Sequence, residues 1–127
     1  MNRTRSLAVK AVVGALLLMP VGTRVVRAQD PVKVNATSIH VKLENTSVRV
    51  LEAVLPPGLK EQMHSHPACI IYVVAGGKLR SHGTDGKVTE TEFRTGDVIY
   101  REPITHWSEN IGTTQMRLIV VELKHPG

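Results

Sequence analysis

The stretch "QMHSHPACIIYVV", residues 62–74, decides how this chain reads. Two histidines, His64 and His66, stand one residue apart just ahead of a continuous apolar run. The run "ACIIYVVA" is rich in β-branched and aromatic types, too short for an ordinary helix, and closed by Gly76 and Gly77. It reads as a buried strand. In a strand, residues i and i+2 share a face, so the two imidazoles project side by side. Burying two polar rings costs free energy unless something pairs with them, and a chelated metal ion would do so. A third ligand has to come from another strand. His106, which follows a corner at Pro103 and opens "HWSEN", is the candidate. By itself an H-x-H pair is weak, and its plain alternative is two solvated rings near a strand end. His40, His82 and His125 read as surface histidines.

Outward from this stretch the chain alternates and turns. "TSIHVKLEN" places Ile39, Val41 and Leu43 on one parity, the mark of a half-buried strand. "SVRVLEAVL" follows, then the breaker "PPGLK". Beyond the apolar run come "KLRSH", a hairpin turn at Asp85-Gly86, "VTETEF", "VIYRE", "HWSEN" and the closing "MRLIVVELK". Seven to nine short strands with turn signals every eight to ten residues, and no convincing helical period, predict an all-β sandwich or barrel.

The composition narrows the function. The 127 residues suffice for one domain. The formal charge of +5 resembles that of a nucleic-acid binder, yet five cations and no acid fall in the first 28 residues. The rest balances 11 Lys and Arg against 11 Asp and Glu, which excludes a nucleic-acid partner. The opening "MNRTRSLAVKAVVGALLLMPVGTRVVRAQD" reads as a signal peptide over 1–28. It has a basic start, an apolar stretch from Ala11 to about Val21, and small residues before a cleavage point after Ala28. An uncleaved anchor is the alternative. The expectation is a secreted or periplasmic domain, free of the membrane after cleavage. Residues 29–46 then form an N-terminal segment with one strand, and 47–127 the main domain. Cys69 is the sole cysteine, so no intrachain disulfide forms.

Two spaced patterns give a resemblance. Gly58, five residues, His64-Ser65-His66 and a downstream Gly77 are similar to the first motif of the cupins; Gly96, Pro103, His106 and Asn110 are similar to the second. The chain resembles a small single-domain cupin of the cupin-2 type from about residue 48 to 123. The resemblance implies a double-stranded β-helix, or jelly-roll barrel. It also implies a divalent ion on His64, His66 and His106 near one mouth, and a homodimer. One departure bears on chemistry. The usual fourth ligand is a glutamate, and here its slot falls on Ile70, or on Cys69 if Gly76 is the motif glycine. Some cupin dioxygenases use three-histidine iron sites, so the resemblance leaves two readings. One is an exported dioxygenase-type oxidoreductase acting on a small organic substrate, with Fe2+ as the ion; Zn2+, Mn2+, Ni2+ and Cu2+ fit the same ligands. The other is a non-catalytic module that binds a small molecule or a metal. Cys69, Ile70, Tyr72 and Trp107 are candidates for a substrate pocket. Cys69 reads otherwise as a buried apolar thiol, Tyr72 as core, and Trp107 as outer-face packing. Arg80 and Arg101 are candidates for a substrate carboxylate, their alternative being the solvent face. Asn110 reads as the orderer of a turn. Glu52 or His82 could complete the ligand set by another route.

Overall fold

The computed structural model describes residues 29–125 together with the pair 14–15. The predicted signal peptide therefore lies outside the described residues, apart from that pair. Among the described residues no helix is long and apolar enough to cross a membrane.

The chain is an all-β, double-stranded β-helix. After a short helix α1 (Pro31–Val34) come nine strands: β1 (Ile39–Glu44), β2 (Val48–Leu55), β3 (His64–His66), β4 (Cys69–Ala75), β5 (Gly77–Gly83), β6 (Val88–Phe93), β7 (Val98–Arg101), β8 (Ile104–Asn110) and β9 (Met116–Leu123). They form a five-stranded sheet, β1-β2-β9-β4-β7, facing a four-stranded sheet, β3-β8-β5-β6. All pairings are antiparallel. Helix α1 is one turn long, too short to leave a period in the sequence. Asp30 caps it by accepting from Val32 N, and Pro31 supplies a fixed φ at its start.

Alternation builds the core. Leu51, Ala53 and Leu55 of β2, Ile71 and Val73 of β4, and Met116, Leu118 and Val120 of β9 point inward and meet Leu79 and Phe93 from the opposite sheet. Each large aliphatic side chain sealed here, such as Leu51 or Met116, stabilises the fold by about 1.5–3 kcal/mol. Close approach at one corner requires glycine: a Cβ on Gly76 would collide with the Phe93 carbonyl. The β5–β6 hairpin turns on Gly86, whose φ of +79° favours glycine.

The N-terminal segment departs from expectation. Only Ile39 of β1 is buried; Val41 and Leu43 are exposed. The cause is an edge position combined with a register shift between Val41 and Leu43, which breaks the parity. The segment also belongs to the same barrel, because β1 pairs along β2 and α1 packs against β3.

Candidate metal centre

The four-stranded sheet brings the three histidines together by register. His64 on β3 stands directly opposite His106 on β8, and His66 follows two residues along the same face. His64 and His106 are almost fully buried. One ligand nitrogen from each ring lies within 4.8 Å of the other two. Two nitrogens held at about 2.1 Å from one ion can be at most about 4.2 Å apart, so a small inward shift of the rings closes the set.

What orients the rings is as informative as the rings. His64 Nδ1 lies 2.7 Å from the Gln62 carbonyl, which can only accept, so Nδ1 carries the proton. Asn35 Nδ2 lies 3.2 Å from the same ring nitrogen and donates instead to Gln62 O at 3.3 Å. His66 Nδ1 donates to Glu122 Oε1 at 2.7 Å. His106 Nδ1 lies 2.9 Å from Ser81 Oγ. Each Nδ1 is thus held from behind, leaving each Nε2 for the cavity that the three rings line. This is the arrangement by which proteins fix the tautomer of a metal-ligating histidine.

The opposite wall is one row of the five-stranded sheet. Arg49, Glu122, Cys69 and Arg101 are register partners across β2, β9, β4 and β7. Arg49 is bound on both sides, 2.7 Å from Glu122 and 2.7 Å from Asp30 at the start of α1. Burial raises the Glu122 carboxyl, but hydrogen bonds from His66 and Arg49 outweigh this and hold it below the ordinary range. Glu61 enters from the loop before β3, and its Oε2 accepts from Ser108 N at 3.1 Å. Burial pushes its carboxyl up to about 7. Burial pushes the imidazoles the other way, His64 down to about 4 and His106 to about 3, so both are neutral at physiological pH, as metal ligation requires.

These shifts set an expected pH profile for the metal-free protein. Both histidines titrate lower folded than unfolded, so the stability they lend is complete above about 6.5 and is lost as pH falls towards 4. Glu61 titrates higher folded than unfolded, so its contribution is present below its unfolded value and lost as pH rises through about 7. Melting temperature should therefore fall steeply below pH 6. Glu61→Gln should gain on the wild type as pH is raised from 6 to 8. Thermal melts from about pH 4 to 8 check both signs; a flat profile would contradict them.

The remaining candidates divide. Cys69 points inward and lines the cavity, and burial pushes its thiol up, but it does not join the three-histidine cluster. Ile70 and Tyr72 lie on the outer face, 37% and 46% exposed, so they do not line the cavity. The phase differs because the chain crosses from one sheet to the other at Pro67–Ala68, which resets the alternation. Trp107 also faces outward, stacked on His82 with centroids 3.7 Å apart. His82 contacts Glu109, and Glu52 binds Arg117, so neither completes the ligand set. Arg80 pairs with Glu90 and Glu109, whereas Arg101 lines the cavity. Asn110 ties Leu55 O, Thr114 O and Gly112 N together at a turn. His40 and His125 are exposed. Sequence reasoning missed Glu122, Arg49, Glu61 and Ser81. For Glu122 a signal existed: it shares the inward parity of Met116, Leu118 and Val120.

Comparison with known proteins agrees with the geometry. No curated protein matches the sequence. Among solved structures, a cupin domain from Bordetella pertussis superposes with a TM-score of 0.63 at 24% identity, covering 68% of this chain and 92% of that one. An RmlC-like cupin family protein with a double-stranded β-helix fold from Methanocaldococcus jannaschii gives 0.57 at 18% identity, over 69% and 80%. A protein with a double-stranded β-helix domain from Klebsiella pneumoniae gives 0.51 at 25%, over 68% and 76%. The family model for the cupin domain, Cupin_2, matches residues 51–122, and with it the chain belongs to the cupin family.

Proposed function

We propose that the chain is a metal-dependent cupin of dioxygenase type, acting on a small organic substrate with Fe(II) held by His64, His66 and His106. The observation that carries this reading is the set of three rings tied at Nδ1, with three Nε2 atoms free towards one cavity. Among the described residues no carboxylate joins the set, so the ligands bring no charge and coordination positions stay open. When bound, the ion supplies Lewis-acid and one-electron redox chemistry at those positions. The protein supplies the rest. Gln62, Glu122 and Ser81 orient the rings, Ile71, Leu79 and Phe93 exclude water, and Glu61 is poised to give or take a proton near neutral pH. The test is dioxygen uptake by the Fe(II)-loaded protein over a panel of small acids, thiols and diols. Substrate-dependent uptake supports the reading. A stoichiometric ion without uptake supports instead a non-catalytic binding module, a reading favoured by the small cavity at the rings, about 40 Å³.

We propose export as well, with cleavage after Ala28. Its support is the basic and apolar opening of the sequence. Gln29, the next residue, is already tied into the fold through a hydrogen bond from Ser65 N to its carbonyl.

The partner proposed is a second copy of the chain. Leu43, Val50, Val121, Ile70 and Tyr100 form one apolar row across all five strands of the outer face. Ile119, Tyr72 and Val98 extend it in the next row. Val98 is 69% and Tyr100 57% exposed. Monomers rarely leave so continuous a patch open. The Arg117–Glu52 pair on the same face gives a two-fold mate both charges it needs. Light scattering should give a dimer, and Tyr72→Glu should give a folded monomer. A wild-type monomer at 100 μM, chosen as roughly a hundred times a micromolar Kd, would remove the proposal.

A further inference from the structure

Arg101 is the cavity cation that the protein leaves unmatched. The other inward arginine at this end, Arg49, is clamped between two carboxylates. Among the described residues no carboxylate lies within ion-pair distance of Arg101, and no side-chain hydrogen bond reaches it. Its charge is felt by Glu61, His64, His106 and Cys69, which places it amid the site. On the inner row Glu122 is two strands away, beyond Cys69, or about 10 Å at the usual strand spacing. A guanidinium keeps its charge at any relevant pH and presents a planar fork of donors.

Arg101 also fronts a second space. A chamber of about 190 Å³ shares Leu79, Phe93, Arg101 and Ser108 with the histidine cavity and adds the hydroxyls of Ser81, Thr89 and Thr91. Its size suits a molecule of a few carbons. A single fork matches one carboxylate; a phosphate dianion would call for a second cation, which the chamber walls lack.

We propose that Arg101, which lines both this chamber and the histidine cavity, anchors the carboxylate of a small organic acid there. This names the substrate class of the centre proposed above and rests on that reading for what happens at the rings. The anchor itself needs no metal.

The test uses calorimetry on the full chain, once stripped with chelator and once reloaded with zinc, which is redox-silent. The probes are glycolate, its neutral counterpart glycolamide, and inorganic phosphate. Glycolate should bind the stripped protein, with glycolamide and phosphate weaker by about tenfold or more. Arg101→Met should weaken glycolate by a similar factor and leave zinc content unchanged, while Arg101→Lys keeps part of the affinity. Equal binding of glycolate and glycolamide, preference for phosphate, or wild-type glycolate affinity in Arg101→Met would overturn the proposal. So would glycolate binding that needs zinc and ignores Arg101. If Arg101→Met does not fold, Arg101→Lys and the three probes on the wild type decide. Zinc content is read on the same samples, so a failed metal centre shows as zinc absent while the glycolate comparison stands.

Discussion

Protein purified without chelators should carry close to one divalent ion per chain, and His106→Ala or His64→Ala should carry almost none. Each ring supplies one of three nitrogens, and its loss leaves two donors and an open flank. Changes to groups behind a metal ligand already cost about 10–100-fold in affinity, and loss of the ligand itself should exceed that range. A second readout follows from linkage. An ion present at about a hundred times its Kd stabilises the folded state by about 2.7 kcal/mol. For a domain of this size that is roughly 10–20 °C in Tm. Chelator should remove this increment from the wild type and find nothing to remove in either variant. His82→Ala is the control. That ring stacks on Trp107 outside the barrel, so it should keep both ion and increment. A wild type without metal, or metal indifferent to both substitutions, would sink the three-histidine centre and leave the barrel intact.

The histidine pair was legible because its information is local. Two residues apart on one strand means one face, whatever the rest of the chain does. His106 was legible through its place after the Pro103 corner, though its register with His64 is set by sheet closure. The strand pattern was likewise readable from parity and turns. What parity could not carry was phase through the crossing at Pro67–Ala68. That is where Ile70 and Tyr72 passed to the outer face and Cys69 to the inner one. Nor could it foresee that β1 is an edge strand, in which every residue after the buried Ile39 is exposed. Residues that complete the site from afar were invisible for a different reason. Asn35, Arg49 and Ser81 meet the rings or Glu122 through partners distant in sequence: Arg49 pairs with Glu122 across β2 and β9, Ser81 lies on the strand beside His106, and Asn35 reaches His64 from the end of α1, contacts that no short-range rule records. Glu122 is intermediate: an acid in step with Met116, Leu118 and Val120 is an anomaly that a buried partner must answer.

Glu122→Gln should lower metal affinity by about 10–100-fold while the protein still folds. The carboxylate sits between two donors, His66 Nδ1 at 2.7 Å and Arg49 Nε at 2.7 Å. Its charge makes the His66 ring a stronger donor to an ion and fixes which nitrogen is bare. Glutamine preserves the volume and can still accept one of those hydrogen bonds through its carbonyl oxygen. It cannot serve both partners equally, and it removes the negative charge. Glu122→Ala should do more. It strands a half-buried guanidinium that keeps only Asp30, at a cost of about 3–5 kcal/mol for breaking a buried pair from one side. The two variants therefore separate orientation from folding. A merely structural role predicts that stability and metal affinity fall together in both. A positioning role predicts that Glu122→Gln keeps most of the metal-free Tm yet loses the ion at chelator concentrations the wild type withstands. With the carboxylate in place His66 keeps its proton on Nδ1 and its lone pair on Nε2.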